Sequence, residues 1–178
     1  MKLYLTRHTR TNYNDLHLCN SDPNVDVHLT EVGLQQAAEL AEKLKALKFE
    51  RIIISPLFRT KQTADILNRY HNVPTEVDAR LIDNRTGFED KTYEEYEAVL
   101  NQAADTWNFT GPDGESLNDV KARAAEFLQE LKGREFQAVL VVTHEVVIKN
   151  LVGVLEGLSN QQIWDVQVPH GEYRSFDI

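Results

Sequence analysis

Arginine and histidine residues follow three separate apolar segments of the chain. Arg7 and His8 follow the first segment, Arg59 lies shortly after the second, and His144 follows the third. A guanidinium group matches the oxygens of a phosphate, and an imidazole nitrogen can act as a nucleophile that forms a covalent intermediate. If the three segments meet in space, these residue types predict a phosphate site with a nucleophilic histidine.

The elements that must position these residues are strands that alternate with helices. The residue patterns predict strands over 2–7, 51–55, 75–77, 138–143, 163–168 and 173–176, and helices over 31–47, 58–70, 93–103, 117–131 and 145–155. This alternation indicates an α/β fold, namely a three-layer α/β/α sandwich with a mostly parallel central sheet. Ligands of such sheets bind outside the carboxyl ends of the strands, so we expect the three segments to converge there.

Composition narrows the class of protein. The chain has 178 residues, enough for one domain, and a formal net charge of −9, which argues against a general nucleic-acid binder. No apolar run approaches the roughly 18 residues of a membrane span. Cys19 is the single cysteine, so no internal disulfide forms, and we expect it to be solvent-facing or half-buried. Because the N-terminus has the pattern of a strand and not of a signal peptide, we expect a cytoplasmic protein.

Five segments, in this order along the chain, resemble the motifs of the histidine phosphatase superfamily, in its phosphoglycerate mutase-like branch. They are 5–11 (LTRHTRT) with Asn14, 28–37 (HLT and GLQQA), 55–64 (SPLFRTKQTA), 113–116 (DGES) with Arg123, and 141–144 (VVTH). The resemblance covers most of the chain. It implies a phosphoglycerate mutase-like fold and an enzyme that needs neither a metal nor another cofactor.

The resemblance also implies roles for the matched residues. His8 would be the phosphorylated nucleophile, while Arg7, Arg59 and His144 would hold the phosphoryl group. Asn14 would line the same pocket.

Two carboxyl groups are candidates for the acid that protonates the leaving oxygen. Asp83 matches the place of the branch's usual glutamate donor, and we prefer it. Glu145 directly follows the second histidine, as an acidic residue does in the acid phosphatase and phytase branch. Thr9 replaces the family's usual glycine, which predicts local strain, and Arg10 stands where glutamate is common. We expect Arg10 either to pair with Glu145 at the pocket rim or to bind a second acidic group of the substrate.

The sequence thus predicts a phosphatase for small-molecule phosphate monoesters, with the segment 84–118 as a lid or insertion that selects the substrate. A phosphomutase is one alternative, although the chain is short for the enclosure that a mutase needs. A non-catalytic phosphate-binding module is another, suggested by Thr9 and Arg10. Of the remaining histidines, which lack metal-ligand spacing, His28 and His170 are the expected neighbours of the pocket. The oligomeric state stays open.

Overall fold

A five-stranded sheet with the order β3-β2-β4-β1-β5 organises the computed structural model, which describes residues 1–178. Its strands are β1 (Lys2–Arg7), β2 (Arg51–Ile54), β3 (Thr75–Val77), β4 (Ala138–Thr143) and β5 (Tyr173–Asp177). The first four are mutually parallel, and β5 runs antiparallel to β1. The predicted mostly parallel α/β sheet is therefore confirmed.

Seven helices surround this sheet. They are α1 (Asn12–Leu16), α2 (Glu31–Leu44), α3 (Phe58–Leu67), α4 (Tyr93–Leu100), α5 (Leu117–Lys132), α6 (Glu145–Glu156) and α7 (Asn160–Trp164), with 3-10 turns at Asn68–Tyr70 and Ala79–Leu81. Three of the predicted helices end earlier than expected, since α2 stops at Leu44, α3 at Leu67 and α4 at Leu100. No helix combines the length and the apolar character that crossing a membrane requires.

Two apolar clusters cover the two faces of the sheet. Leu3 and Val141 point to the face that packs against α5 and α6, through residues such as Phe127. Their strand neighbours Tyr4 and Leu140 point to the opposite face, which packs against α2 and α3. This alternation of period two follows from the pleat of a strand and produces the predicted three layers.

Helix α7 corrects one of the predicted edge strands. The alternating apolar residues at 163–168 suggested a strand, but the chain forms a helix at Asn160–Trp164 instead. Ser159 caps this helix and Gln162 completes the capping box. Ile163 is buried and packs closely on Gly153 of α6, where an added Cβ would lie 2.4 Å from its Cδ1 atom. The apolar side chain therefore serves helix packing and not a sheet edge.

Candidate active site

The carboxyl ends of β1, β2 and β4 meet at one edge of the sheet. The parallel register places Arg7 beside Thr143, so the residues that follow them, His8 and His144, become neighbours. Their ring centroids lie 5.2 Å apart. Ser55 follows β2, and its Oγ atom is hydrogen-bonded to Nε2 of His144 at 2.8 Å. The convergence predicted from the sequence is present in the structure.

His8 is held with a defined nitrogen toward the cavity. Its Nδ1 atom lies 2.8 Å from the carbonyl oxygen of Thr9. Since a carbonyl only accepts hydrogen bonds, Nδ1 carries the proton and Nε2 keeps its lone pair. Burial of the ring, followed by the charges of Arg59 and the other nearby cations, holds the pKa of His8 well below its usual 6.5. The imidazole is therefore neutral at neutral pH, with its lone pair on Nε2.

His144 is the second buried imidazole of the site. Burial, and then the positive charges of Arg59 and Arg7, lower its pKa well below 6.5. Its Nδ1 atom lies 3.4 Å from Oδ2 of Asp83 but makes no hydrogen bond. The Nε atom of Arg7 is likewise buried without a partner. Because buried polar atoms are nearly always paired, these two nitrogens mark a place for an additional acceptor.

Arg59 is fixed by three acceptors. Its guanidinium donates to the side-chain oxygen of Asn20 at 3.0 Å, to the backbone oxygen of Asn20 at 2.8 Å and to Oδ2 of Asp83 at 3.1 Å. Asn20 was not foreseen, because it lies in an irregular loop whose sequence carries no periodic signal. The side chain of Arg59 is only 5% exposed, so this arrangement is rigid and desolvated.

Asp83 lies on a loop that α5 anchors. Arg123 of α5 donates to the backbone oxygen of Arg80 at 2.5 Å and to that of Asp83 at 3.3 Å, and it forms an ion pair with Glu115 at 2.8 Å. The backbone N–H of Asn84 donates to Oδ1 of Asp83 at 2.9 Å. These contacts leave Oδ2 directed toward Arg59 and His144. The role of Arg123 is thus structural.

Glu145 corrects the predicted rim pair. Its carboxylate contacts Nη1 of Arg7 at 2.5 Å and Nζ of Lys149 at 3.0 Å. Arg10 is half exposed and pairs with Asp15 instead. The expected ion pair between Arg10 and Glu145 is therefore wrong. Arg10 pairs with Asp15, five residues further along the chain, and Glu145 pairs with Arg7 at the end of the neighbouring strand β1. The i,i+4 spacing of Glu145 and Lys149 was a sequence signal that could have revealed Lys149.

Two other residues beside His8 behave differently from expectation. Thr9 has no left-handed backbone conformation, so the predicted strain is wrong. Its N–H donates to the hydroxyl of Thr63 at 3.2 Å. Asn14 completes the capping box of α1, where its Oδ1 atom accepts from the backbone and hydroxyl of Thr11. Asn14 borders a smaller depression beside the main cavity, together with Arg7, Arg10 and His170; contact of Arg10 and Asn14 with a substrate stays a prediction.

A cavity of about 650 Å³ opens in front of His8, Arg7 and Asp83. Helix α4, within the segment 84–118, forms one wall of it. Cys19 lines the cavity but is 2% exposed, which corrects its predicted position. Burial raises the pKa of its thiol to about 11, so it is not a nucleophile at neutral pH.

The two other histidines expected near the pocket differ from each other. His170 is such a neighbour, because its Nδ1 atom donates to the backbone oxygen of His8 at 2.8 Å and the two rings are 5.8 Å apart. His28 is exposed and pairs with Asp26 at 3.1 Å.

Comparison with known proteins agrees with this site. The model of the histidine phosphatase superfamily (branch 1) matches residues 3–178. The chain belongs to the histidine phosphatase superfamily. An adenosylcobalamin/alpha-ribazole phosphatase from Salmonella typhimurium is 27% identical, over all of this chain and 91% of its own. A protein from Enterobacter named as a probable phosphoglycerate mutase is 30% identical, over 89% of this chain and 76% of its own.

A solved structure shows the same architecture throughout. The alpha-ribazole phosphatase from Shigella flexneri superimposes with a TM-score of 0.88 at 25% identity, covering 100% of this chain and 91% of its own. The family match and these relatives place the chain among the phosphatases and phosphoglycerate mutase-like proteins of the histidine phosphatase superfamily.

Proposed function

We propose that this histidine phosphatase hydrolyses phosphate monoesters of small molecules through a phosphohistidine on His8. The observation that carries the proposal is the hydrogen bond from Nδ1 of His8 to the carbonyl oxygen of Thr9. This bond places the proton on Nδ1 and leaves the lone pair of Nε2 free. The positive charges of Arg59 and Arg7 act on the ring of His8, and the ring of His144 lies 5.2 Å from it between centroids. Such a constellation combines a neutral nucleophile with fixed positive charge, as phosphoryl transfer requires.

In the first step, Nε2 of His8 attacks phosphorus while the bond from phosphorus to the alcohol oxygen breaks. The guanidinium groups of Arg7 and Arg59 hold the phosphoryl oxygens, and the unpartnered Nδ1 of His144 is available to donate to one of them. Asp83, in its protonated form, gives its proton to the departing alkoxide. The products are the free alcohol and the phosphorylated imidazole.

In the second step, water attacks phosphorus and the bond between nitrogen and phosphorus breaks. The carboxylate of Asp83 takes a proton from that water, which restores the protonated acid. Inorganic phosphate leaves, and His8 returns to its neutral form with Nδ1 still bonded to Thr9. The same carboxyl group thus serves as acid and then as base.

Asp83 fits the role of proton donor better than Glu145 does. Oδ2 of Asp83 lies between Arg59 and His144, the groups that hold the phosphoryl oxygens. Glu145 engages both of its oxygens with cations, Arg7 and Lys149. Neither oxygen of Glu145 is therefore free to face a leaving group, whereas Asp83 contacts only one cation, Arg59.

The proposal also covers a lid over the cavity, activity without a metal and a cytoplasmic location. Helix α4 and its flanking segment 84–118 form the cavity wall, and we assign them the role of a lid that selects the alcohol part of the substrate. The steps above use only side chains of the protein, so activity is expected to survive a chelator. The cytoplasm remains the proposed location, where a single cysteine stays reduced.

A phosphomutase is the second candidate, supported by the relative from Enterobacter that is named as a probable phosphoglycerate mutase. A mutase returns the phosphoryl group to its substrate, whereas a phosphatase releases it to water. Incubation with 3-phosphoglycerate separates the two, since formation of an isomer without release of phosphate would favour the mutase.

The direct test uses 4-nitrophenyl phosphate in a buffer that contains EDTA. We expect steady release of phosphate by the native protein and none by the His8→Ala variant. His28→Ala is the matched control, because His28 is an exposed histidine outside the cavity. Undiminished turnover by His8→Ala would refute the proposed mechanism.

A further inference from the structure

One carboxylate neutralises both cations that line the cavity. The lysine and arginine side chains among the lining residues are Arg7 and Lys149. Glu145 contacts the first at 2.5 Å and the second at 3.0 Å. Both cations are largely buried, at 14% and 13% exposure of their side chains, whereas the side chain of Glu145 is 36% exposed, so water screens these contacts in part.

Helix α4 adds acidic residues to the lining of the cavity. Glu94 and Glu97 lie on α4 and line the same cavity. The partner of Glu94 is His17, which lies outside the cavity. Together with Asp83 and Glu145, four carboxylates face two cations. The part of the cavity that must receive the alcohol therefore offers no free positive charge.

Other residues that line the cavity are apolar or aromatic. Tyr96, Leu100, Val146 and Trp164 line the cavity between the charged groups. Lys149 covers the ring of Trp164 at 5.6 Å, which fixes both side chains. These surfaces suit an uncharged organic group, and a cavity of about 650 Å³ exceeds what a phosphate alone requires.

We propose that the enzyme selects phosphate monoesters whose alcohol part carries no second anionic group, and that Glu145 sets this selectivity by neutralising Lys149 and Arg7. The proposal rests on the proposed function and names its substrate class. Neutral or cationic alcohols with an apolar portion fit the cavity, while bisphosphates and phosphorylated carboxylic acids meet Glu94, Glu97 and Glu145.

The same contact makes Glu145 a competitor of the phosphoryl group. The Nε atom of Arg7 is free for a phosphate oxygen, but a phosphate that also reaches Nη1 competes there with the carboxylate oxygen of Glu145. The second oxygen is held by Lys149, one helical turn further along α6, so Glu145 keeps a partner when it moves. Loss of this competitor should strengthen the binding of inorganic phosphate.

The test compares 4-carbamoylphenyl phosphate with 4-carboxyphenyl phosphate, which differ in one neutral or anionic substituent of similar shape. We expect the native enzyme to prefer the neutral ester in kcat/KM. In Glu145→Gln this preference should fall by roughly tenfold, the scale of one charge a few ångströms away at partial screening. Inhibition by inorganic phosphate should become stronger in the same variant.

A double variant distinguishes the effect of Lys149 from the effect of Arg7. Lys149→Met added to Glu145→Gln should restore the preference for the neutral ester, because no free lysine remains to bind the carboxylate. The stronger inhibition by phosphate should persist, because it depends on Arg7. Glu39→Gln, an exposed carboxylate of α2, is the control for the loss of one charge. Melting temperatures of all variants verify that each protein is folded.

An unchanged preference in folded Glu145→Gln would overturn the inference and leave the proposed function intact. If the native enzyme hydrolyses neither ester, the proposed function fails instead. In that case the two esters are compared as competitors of bound vanadate by calorimetry. Equal binding of both by the native protein would then overturn the selectivity as well, and preferred binding of the neutral ester would support it.

Discussion

The Nδ1 atom of His8 lies 2.8 Å from the carbonyl oxygen of Thr9, and this contact decides which nitrogen is free to react. The residue supplying that carbonyl is a threonine, where the family usually has glycine. The contact uses only backbone atoms of Thr9, so its side chain does not interfere. Thr9 is instead fully buried and tied to α3 through Thr63, which holds the carbonyl in place.

This geometry predicts the tautomer of His8 in solution. Because burial lowers the pKa of the ring well below 6.5, His8 should remain neutral at pH 6, with the proton on Nδ1. Long-range proton–nitrogen NMR spectra report the tautomer directly, and the His8→Asn variant assigns the signals. A charged ring at pH 6, or a proton on Nε2, would contradict the geometry.

The buried imidazoles also predict a dependence of stability on pH. Burial is the main cause that lowers the pKa of His8 and His144 well below 6.5 and that of His170 to about 4. Below pH 6.5 the unfolded chain binds these protons while the folded chain does not. The free energy of unfolding should therefore fall between pH 6.5 and 4, by about 1.4 kcal/mol per pH unit for each such histidine.

Urea unfolding at pH 7, 6 and 5 measures this slope. The His170→Asn variant should lose the contribution of one proton, because asparagine does not titrate. If the native protein and this variant show the same slope, then His170 is not held neutral in the folded state.

The planar shape of the Arg59 guanidinium, and not only its charge, should matter for activity. A lysine at position 59 keeps the charge but lacks the planar fork that reaches Asn20 and Asp83 together. We expect Arg59→Lys to lower kcat/KM for 4-nitrophenyl phosphate by about 10²-fold or more, the scale of one lost oxyanion contact. The control is Arg69→Lys, at an exposed arginine just after α3 that pairs with Glu42. Wild-type efficiency in Arg59→Lys would show that charge alone is sufficient.

Asp83 gives a prediction that depends on the leaving group. Asp83→Asn cannot supply a proton, so kcat/KM for alkyl phosphates should fall by about 10²- to 10⁴-fold. The kcat/KM for 4-nitrophenyl phosphate should fall much less, because this parameter reports steps only as far as the departure of the alcohol, and nitrophenolate leaves without a proton. The ratio of the two kcat/KM values measures the effect, while the loss of the base in the second step lowers kcat for both esters alike.

Glu145→Gln provides the comparison for that ratio. It should not single out alkyl phosphates, since Glu145 is assigned to selectivity and not to proton transfer. If this variant, and not Asp83→Asn, loses alkyl phosphates selectively, then the proton donor is Glu145.

Much of the site could be predicted because the end of a buried strand shows in the sequence as the point where an apolar run gives way to polar residues. His8 and His144 each follow an apolar strand, and parallel strands align their carboxyl ends. The Arg59 segment follows β2 in the same way. Convergence at one sheet edge therefore follows from element order alone, before any distance is known.

The errors arose where helix capping, loop geometry and packing override the apolar pattern. The segment at 163–168 alternates like a strand, yet the Ser159 capping box and the fit of Ile163 against Gly153 make it a helix. The partner of Arg10 depended on the short helix α1, which places Asp15 within reach. Asn20 was not predicted as a site residue, because the sequence of a loop has no periodic pattern that indicates where a side chain points.

Trapping the phosphohistidine is the most direct test of the role of His8 as the nucleophile. The enzyme is mixed with excess 4-nitrophenyl phosphate, quenched in alkaline denaturant, where phosphohistidine survives, and examined by mass spectrometry with fragmentation. We expect the mass of one added phosphoryl group, located on His8 and absent from the His8→Asn variant. A phosphoryl group on another residue, or full turnover by His8→Asn, would contradict this role.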